Sequence, residues 1–291
     1  MATANDSVEL IVLGTAQDGG APQIGHNADP AWEDASLRRT ATCLGLVDRA
    51  SGQRWMFDAT PDIREQLHSF DEAAPRGRRF LDGVFLTHAH MGHYTGLMFF
   101  GHEAMGTREL PVHVMPRMAG YLSNNGPWSQ LVRLKNVALM EMAHGVPVDL
   151  GRVAVTPFLV PHREEFSEVV GFRIDGPAKK VLFIPDIDRW EDWDAQGVHI
   201  EAEISKVDVA YLDGTFYADG ELGSRDMSKV PHPLIASSVK RFAALPQSEK
   251  AKIRFIHLNS TNPARFADSP ARREVLAAGF AVAEEMESLV L

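Results

Sequence analysis

Short apolar segments rich in Val, Ile, Leu and Phe recur along the chain, and Gly, Pro or Asp residues bound each of them. Segments of this length and composition are typical of β-strands with buried faces. They predict strands at Val8–Leu13, Thr42–Val47, Trp55–Asp58, Gly83–Leu86, Val112–Met115, Val137–Met142, Val153–Val160, Val169–Ile174, Lys180–Ile184, Val207–Leu212 and Ile253–His257.

Between these strands lie fewer segments that favour helices. The clearest start signal is Thr60 as an N-cap with Pro61 in the first turn. Helices are predicted at Pro61–Phe70, His93–Phe100, Arg117–Leu122, Leu234–Leu245 and Arg272–Ala278. No Pro/Gly/Ser-rich linker divides the chain, so the pattern predicts one α/β (α+β) domain over residues 1–291. The long loop Gly14–Arg39 is expected to be functional or disordered.

Composition narrows the class of protein. The chain has 291 residues, of which 45% are hydrophobic, and this is enough for a large core. Its net charge is −10 and it contains no basic block, which argues against nucleic acid or an anionic membrane as partner. No signal-peptide pattern and no apolar stretch of about 18 residues is present, so we expect a cytoplasmic protein. The expected partner is a small-molecule substrate, and the oligomeric state stays open.

Three histidines follow the predicted strand Gly83–Leu86 within a single short run. His88 and His90 are two residues apart, so in an extended loop their side chains point the same way. His93 begins the next segment and approaches the same point from another side. Because neutral imidazole is the commonest metal ligand, this spacing predicts a metal site.

Further histidines and aspartates stand where other predicted strands end. His162 follows Val153–Val160, Asp186 follows Lys180–Ile184, and His257 ends the strand at Ile253. Asp58 ends the earlier strand that begins at Trp55. Binding sites are commonly formed where strands end and loops begin. These side chains are therefore expected to gather at one edge of a sheet.

The order of these residues resembles the metallo-β-lactamase superfamily, whose motif His-x-His-x-Asp-His is followed by an isolated His, an Asp and a final His. The resemblance implies a four-layer αββα sandwich with a metal site at one edge. It also implies the metal ligands His88, His90, His93, His162, Asp186 and His257. Asp186 and Asp58 would serve catalysis: Asp186 by bridging to a second ion or accepting a hydrogen bond from bound water, and Asp58 by orienting a ligand histidine.

A closer resemblance is to the pyrroloquinoline quinone biosynthesis protein B family. It rests on Val12-Leu13-Gly14-Thr15-Ala16, Phe57-Asp58-Ala59-Thr60-Pro61-Asp62-Ile63, Asp213-Gly214-Thr215-Phe216 and Ile256-His257-Leu258-Asn259-Ser260-Thr261-Asn262-Pro263. The chain departs from that family in lacking a cysteine-rich segment near Ile24–Glu33 and in having His88 and His90. It is therefore identified as a divergent relative, for which a role in quinone cofactor synthesis does not follow directly.

The ligand set indicates the chemistry. Imidazoles from His88, His90 and His162 leave a tetrahedral zinc one open position, where a bound water has a pKa of roughly 7. The predicted function is a metal-dependent hydrolase in which this water or hydroxide attacks an ester-like bond (phosphodiester, lactone, thioester or amide). The alternatives are an oxidoreductase or hydroxylase that uses iron, with manganese also a possible metal, and a non-catalytic carrier related to quinone synthesis. Cys43 is the single cysteine and has no nearby base in the sequence.

One position breaks the superfamily motif. Gly92 stands where the motif has Asp, so we expect one well-occupied zinc site and a weak second one. On this basis Gly92→Asp should raise the metal content. Asp18, in the loop Gln17–Gly20, offers a replacement carboxylate or is an ordinary turn aspartate. His232, between two prolines, is expected to be structural.

Overall fold

The strands form two mixed sheets. The computed structural model describes residues 6–75, 79–223 and 225–291. The first sheet contains β1 (Val8–Gly14), β2 (Cys43–Asp48), β3 (Gln53–Phe57), β4 (Gly83–Phe85), β5 (Leu110–Val114), β6 (Val137–Glu141) and β14 (Ser288–Val290). Their spatial order is β14-β1-β2-β3-β4-β5-β6, in which β3 to β6 run parallel to one another.

The second sheet is built from the middle and the end of the chain. It contains β7 (Val148–Asp149), β8 (Ala154–Leu159), β9 (Val170–Asp175), β10 (Lys180–Ile184), β11 (Val209–Asp213), β12 (Ile253–Ile256) and β13 (Ala281–Val282). The order is β13-β12-β11-β10-β9-β8-β7, and β10 to β13 are parallel. Parallel neighbours end at the same edge of a sheet, so both sheets bring several carboxyl ends together.

Helices cover the outer face of each sheet. They are α1 (Ile63–Ala73), α2 (Met91–Tyr94), α3 (Pro116–Asn124), α4 (Trp128–Arg133), α5 (Trp190–Ala195), α6 (Ile200–Ile204), α7 (Ile235–Arg241), α8 (Gln247–Lys250) and α9 (Pro270–Ala277). Helices α1, α3 and α4 pack on the first sheet, and α5, α6, α7 and α9 pack on the second. Among the described residues, no helix is both long enough and apolar enough to cross a bilayer.

Alternation along the strands explains the four layers. In β3, Phe57 faces the second sheet while its neighbour Met56 packs among the helices of the first. In β10, Phe183 faces inward and Leu182 packs under the outer helices. Because successive side chains of a strand point to opposite faces, a strand that is apolar throughout must be covered on both sides. The predicted αββα sandwich is confirmed.

Each predicted strand is present, with ends shifted by a few residues, but some other elements differ from the prediction. The segment predicted as the helix His93–Phe100 is the short α2 followed by a 3₁₀-helix at Thr95–Phe100. Gly96 packs tightly here, because a Cβ at this position would lie 2.0 Å from the Thr60 carbonyl oxygen. The predicted helix Leu234–Leu245 is α7, which ends at Arg241 and continues as a 3₁₀-helix. The sequence did not predict α4, α5, α6, α8 or the short edge strands β7, β13 and β14.

The long loop after β1 is ordered by contacts with distant parts of the chain. Ala16 forms β-bridges with Ala41 and with Leu258. Asp29 is 2% exposed and pairs with Arg265, which lies between β12 and β13 of the second sheet. Two 3₁₀-helices, Pro30–Trp32 and Ala35–Leu37, lie within it. The loop is therefore part of the packed structure rather than a disordered insertion.

Glu285 gives the stability of this fold a pH dependence. The Thr40 backbone N–H donates to Glu285 Oε1 at 2.6 Å, and burial raises the pKa of Glu285 to about 7. A raised carboxyl pKa contributes stability that is complete below the unfolded-state pKa, near 4.5, and is lost as the pH rises through the folded-state pKa. When the pH is raised from 5 to 8.5, the unfolding free energy of Glu285→Gln minus that of wild type should therefore increase by about 1–3 kcal/mol. Urea denaturation of both proteins at the two pH values measures this difference, and an unchanged difference would contradict the assignment.

Candidate metal centre

The polar residues predicted at strand ends converge at one edge of the two sheets. Asp58 follows β3, the run His88–His93 follows β4, and His257 follows β12. Asp58 and His257 have left-handed backbone conformations, with φ of 69° and 67°. Non-glycine residues adopt this region at an energetic cost, and such residues concentrate at functional sites. The chain turns sharply at both strand ends and aims these side chains towards the same place.

Two groups of possible ligands lie side by side at this edge, and a third group, Asp186, Asp213 and His232, shares Asp186 with the second. The first group contains His88, His90 and His162, with one nitrogen from each within 4.8 Å of the others. In it, His162 Nε2 lies 3.2 Å from His90 Nδ1. His90 is the more open member, since its Nε2 contacts the exposed Glu165 at 3.1 Å.

The second group contains Asp18, His93, Asp186 and His257, again with ligand atoms within 4.8 Å of one another. His93 Nε2 lies 3.3 Å from Asp18 Oδ1 and 2.9 Å from Asp186 Oδ2. His257 Nε2 lies 3.4 Å from Asp186 Oδ2. Asp18 therefore belongs to the cluster as well as to a turn, in which the Gly20 N–H donates to the Gln17 carbonyl.

Asp186 joins the two groups. Its Oδ2 lies 3.5 Å from His88 Nε2, and its Oδ1 lies 3.8 Å from His162 Nε2. The residue is 4% exposed, and the two histidines are nearly as buried. Its carboxylate therefore faces both groups at once.

Contacts on the far side of each imidazole fix its orientation. His93 Nδ1 lies 2.7 Å from Asp58 Oδ2, and His162 Nδ1 lies 2.7 Å from Asp188 Oδ1. Hydroxyl groups take the same position for the other two histidines. Thr87 Oγ1 lies 3.0 Å from His88 Nδ1, and Thr215 Oγ1 lies 2.9 Å from His257 Nδ1. Such partners set which ring nitrogen faces a metal, and here they leave Nε2 of all four rings facing the cluster.

The charge states follow from burial and mutual repulsion. Burial and the neighbouring His93 hold the pKa of His88 well below its usual value. Burial alone would raise the pKa of Asp186, but His257, His162 and His93 outweigh it and hold this pKa well below the usual range. These shifts leave His88 neutral and Asp186 ionised, which is the form in which an imidazole and a carboxylate bind a metal ion. Burial opposes protonation of His93 too, but Asp58, Asp18 and Asp186 outweigh it and raise the pKa of His93, so this imidazole gives up a proton when it binds a metal ion.

Four buried side-chain atoms of the cluster that could bind a metal have no hydrogen-bond partner among the described residues: Asp18 Oδ1, His88 Nε2, His93 Nε2 and His257 Nε2. Buried polar atoms rarely go unpaired, so this concentration needs a cause. Nitrogen ligands of one tetrahedral zinc lie about 3.3 Å apart, given zinc–nitrogen bonds of about 2.0–2.1 Å. The separations above cluster around this value. The residues therefore fit a site for divalent metal ions.

Other residues at the site were missed by the sequence or assigned a different role. His232 is not remote: its Nδ1 lies 2.8 Å from Asp213 Oδ2 and 3.5 Å from Asp186 Oδ1. Burial opposes its protonation, but Asp213 outweighs this effect and raises the pKa of His232 to about 9. Asp188 lies two residues after Asp186, and Thr215 two after Asp213. A polar residue two positions after an aspartate at or near a strand end is the signal that would have found both.

The steric surroundings of Gly92 contradict the expectation for Gly92→Asp. A Cβ at this position would lie 2.1 Å from Asp18 Oδ1 and 2.4 Å from Asp18 Cα. A side chain at 92 therefore cannot be added as a further ligand while Asp18 stays in place. The alternative that Asp18 is only a turn aspartate does not fit either, because its carboxylate lies among the histidines.

Two facing sheets under outer helices, with histidines and aspartates at a shared edge, define the metallo-β-lactamase fold. The chain belongs to the family described as the beta-lactamase superfamily domain, which matches residues 53–283. It is 27% identical to the coenzyme PQQ synthesis protein B of Xanthomonas campestris pv. campestris, over 96% of this chain and 98% of that protein. The similarity to protein B predicted from the sequence is confirmed.

Solved structures share the fold. The structure of Zn(2+)-bound PqqB from Methylobacterium extorquens superposes with a TM-score of 0.80 at 24% identity, and covers 97% of this chain and 100% of that one. A diphosphatase from the PhnP family gives a TM-score of 0.66 at 20% identity, over 98% of this chain and 97% of that one. These similarities place the chain among proteins with this fold.

Proposed function

We propose that this protein is a zinc-dependent hydrolase that cleaves an ester-like bond of a small molecule. The observation that carries the proposal is the set of four unpartnered buried donor atoms facing the shared carboxylate of Asp186. His88, His90 and His162 would hold one ion, and Asp18, His93 and His257 the other, with Asp186 between them. A zinc ion bound there supplies a Lewis acid and lowers the pKa of a water molecule to roughly 7.

Neighbouring residues hold the ligand side chains in the orientation that metal binding requires. Asp58 and Asp188 hold His93 and His162 so that Nε2 of each ring faces the cluster. His232, whose Nδ1 pairs with Asp213, lines a neighbouring cavity of about 240 Å³ with Phe216 and Arg189 and lies 3.5 Å from Asp186 Oδ1. Oriented donors near a reacting group stabilise the charge that develops on it.

A larger cavity next to Asp18 supports a polar, anionic substrate. Its volume is about 540 Å³, and its lining includes Arg163 and Arg225. The other lining residues include five with amide or hydroxyl side chains, among them Gln17 and Gln23, together with the carboxylates of Asp18 and Glu221 and several apolar side chains. Guanidinium groups bind carboxylates and phosphates through paired hydrogen bonds, so the cavity favours small molecules that carry these groups.

The test begins with metal analysis of protein purified without chelator and without nickel affinity. Zinc is expected, together with zinc-dependent hydrolysis of bis(p-nitrophenyl) phosphate or p-nitrophenyl acetate by the reloaded protein. His88→Ala should abolish this turnover, whereas His102→Ala, which changes an exposed histidine away from the cluster, should leave it unchanged. Iron in the purified protein with oxygen-dependent turnover would instead support the oxidoreductase reading, and tight substrate binding without turnover would support a carrier.

Similarity over nearly the whole chain favours a second candidate, a role in coenzyme PQQ synthesis like that in the name of the relatives. Expression of this chain in a bacterium that lacks its own protein B tests this role. Restored PQQ production would support it, and production that stays absent despite soluble expression would count against it.

The single cysteine is not expected to take part. Cys43 lies inside β2 and is fully buried, and its Sγ lies 3.6 Å from the Asp58 carbonyl oxygen. Burial raises the pKa of this thiol, so it is not a thiolate nucleophile at neutral pH. Cys43→Ala should therefore leave turnover unchanged and cost about 1 kcal/mol of stability through the small cavity it leaves. Activity that survives metal removal but is lost in Cys43→Ala would overturn the hydrolase proposal.

A further inference from the structure

Asp18 reaches the cluster because a glycine makes room for it. Asp18 lies in the space that a side chain at position 92 would fill, and its Oδ1 is only 2.1 Å from the position that a Cβ at 92 would occupy. Asp18 Oδ1 is buried and lacks a hydrogen-bond partner, and it lies 3.3 Å from His93 Nε2 and 3.9 Å from His257 Nε2. The space left by Gly92 thus lets the carboxylate lie against both imidazoles.

The loop that carries Asp18 also forms one wall of the 540 Å³ cavity. Residues 17–26 contribute Gln17, Asp18, Gln23, Ile24, Gly25 and His26 to its lining. A second wall is formed by residues 259–261, which begin two positions after His257 in the chain. Each wall therefore contains or closely follows a residue of the second ligand group, which is Asp18 in one wall and His257 before the other.

Hydrogen bonds tie the two walls together near the cluster and are longer farther out. The Gln17 backbone N–H donates to the Leu258 carbonyl at 2.9 Å, and the Asn259 side-chain amide donates to Gln17 Oε1. At the far end, the Ser260 hydroxyl lies 3.2 Å from Gln23 Oε1 and 3.1 Å from His26 Nδ1. An ion that binds Asp18 and His257 together would clamp the walls at their base.

We propose that Asp18 is a metal ligand donated by the cavity wall, so that metal binding at the Asp18–His93–His257 group fixes the substrate cavity. This inference rests on the proposed metal dependence. It adds that the ion bound by Asp18, His93 and His257 also orders residues 14–26 against residues 257–261. Substrate binding and occupancy of this ion are then thermodynamically coupled, and each increases the affinity for the other.

Zinc titration of the metal-free protein, followed by amide hydrogen exchange and metal analysis, tests the proposal. Saturating zinc should slow exchange in residues 14–26 by about tenfold or more, because the loop must open to exchange. Asp18→Asn keeps the size of the side chain but removes its charge. This variant should bind less zinc and lose the zinc-dependent protection of the loop. The matched control is Asp34→Asn in the same long loop, where Asp34 only caps a short helix through Ser36, and it should behave as wild type.

A second variant keeps the test decisive if Asp18→Asn does not fold. His257→Asn leaves the loop sequence intact, and asparagine tolerates the left-handed backbone at this position. It should also abolish the protection of residues 14–26 by zinc. Full zinc content and full loop protection in Asp18→Asn, or loop protection that persists in His257→Asn, would overturn the inference. Because neither readout uses turnover, a protein that binds zinc in this way but hydrolyses nothing would contradict only the proposed function.

Discussion

Asp186→Asn is expected to weaken metal binding at both ligand groups at once. The carboxylate faces His93 and His257 through Oδ2 and His162 through Oδ1, and it is nearly inaccessible to solvent. Asparagine fills the same space but removes the negative charge that offsets the repulsion between two divalent ions. We expect zinc affinity to fall by at least about 100-fold, since even outer partners of metal ligands contribute 10- to 100-fold. Competition against a chromophoric chelator measures this affinity.

The matched control is Asp175→Asn, a half-buried aspartate at the end of β9 that pairs with Arg173 away from the cluster. It should bind zinc as wild type does. The metal-free Asp186→Asn protein should stay folded but lose stability, because Asp186 pairs with the buried His93 in the absence of metal. Unchanged zinc affinity in folded Asp186→Asn would show that this carboxylate does not join the two groups.

Gly92→Asp is expected to reduce metal content, contrary to what the sequence alone predicts. The new Cβ would lie 2.1 Å from Asp18 Oδ1 and 2.4 Å from Asp18 Cα, so the Asp18 turn must move away from the cluster. Overpacking of this kind costs typically about 1–3 kcal/mol of stability. One ligand is pushed out and the displaced turn no longer closes the site. Metal analysis and thermal unfolding of the variant measure both effects.

Asp18→Gly combined with Gly92→Asp provides the control. Removal of the Asp18 side chain relieves part of the clash, and the carboxylate at 92 then takes its place beside His93. We expect the double variant to recover more zinc than Gly92→Asp alone, a non-additivity typical of residues in contact. If Gly92→Asp by itself binds more zinc than wild type at unchanged stability, Asp18 is not fixed in that position.

The sequence predicted the parts of the site that depend on local pattern. Apolar runs located the strands, and polar residues at their ends, such as His162 and Asp186, were found because strand ends meet at an edge. Asp58 was expected to orient a ligand, and the structure places its carboxylate 2.7 Å from His93 Nδ1. The domain assignment and the ligand roles stay predictions.

Residues that join the site through long-range packing were not predicted in that role. Asp18 lies in a turn that looks ordinary in sequence, and only the close approach to Gly92 shows why position 92 has no side chain. His232 lies in the connection between β11 and β12 and pairs with Asp213 at the end of β11. The edge strands β13 and β14 exist because a neighbour completes their hydrogen bonds, not because of their own composition.

The sequence by itself predicted the αββα sandwich through its resemblance to the metallo-β-lactamase superfamily, and it predicted the gathering of histidines at one edge because apolar strands and the polar residues that end them are local patterns. Tertiary structure decided the composition of the second ligand group, the sharing of Asp186 and the cavity between residues 17–26 and 259–261. These features depend on distances between side chains far apart in the chain. Such distances are set by close packing, where the presence or absence of a single Cβ at position 92 determines which carboxylate reaches the cluster.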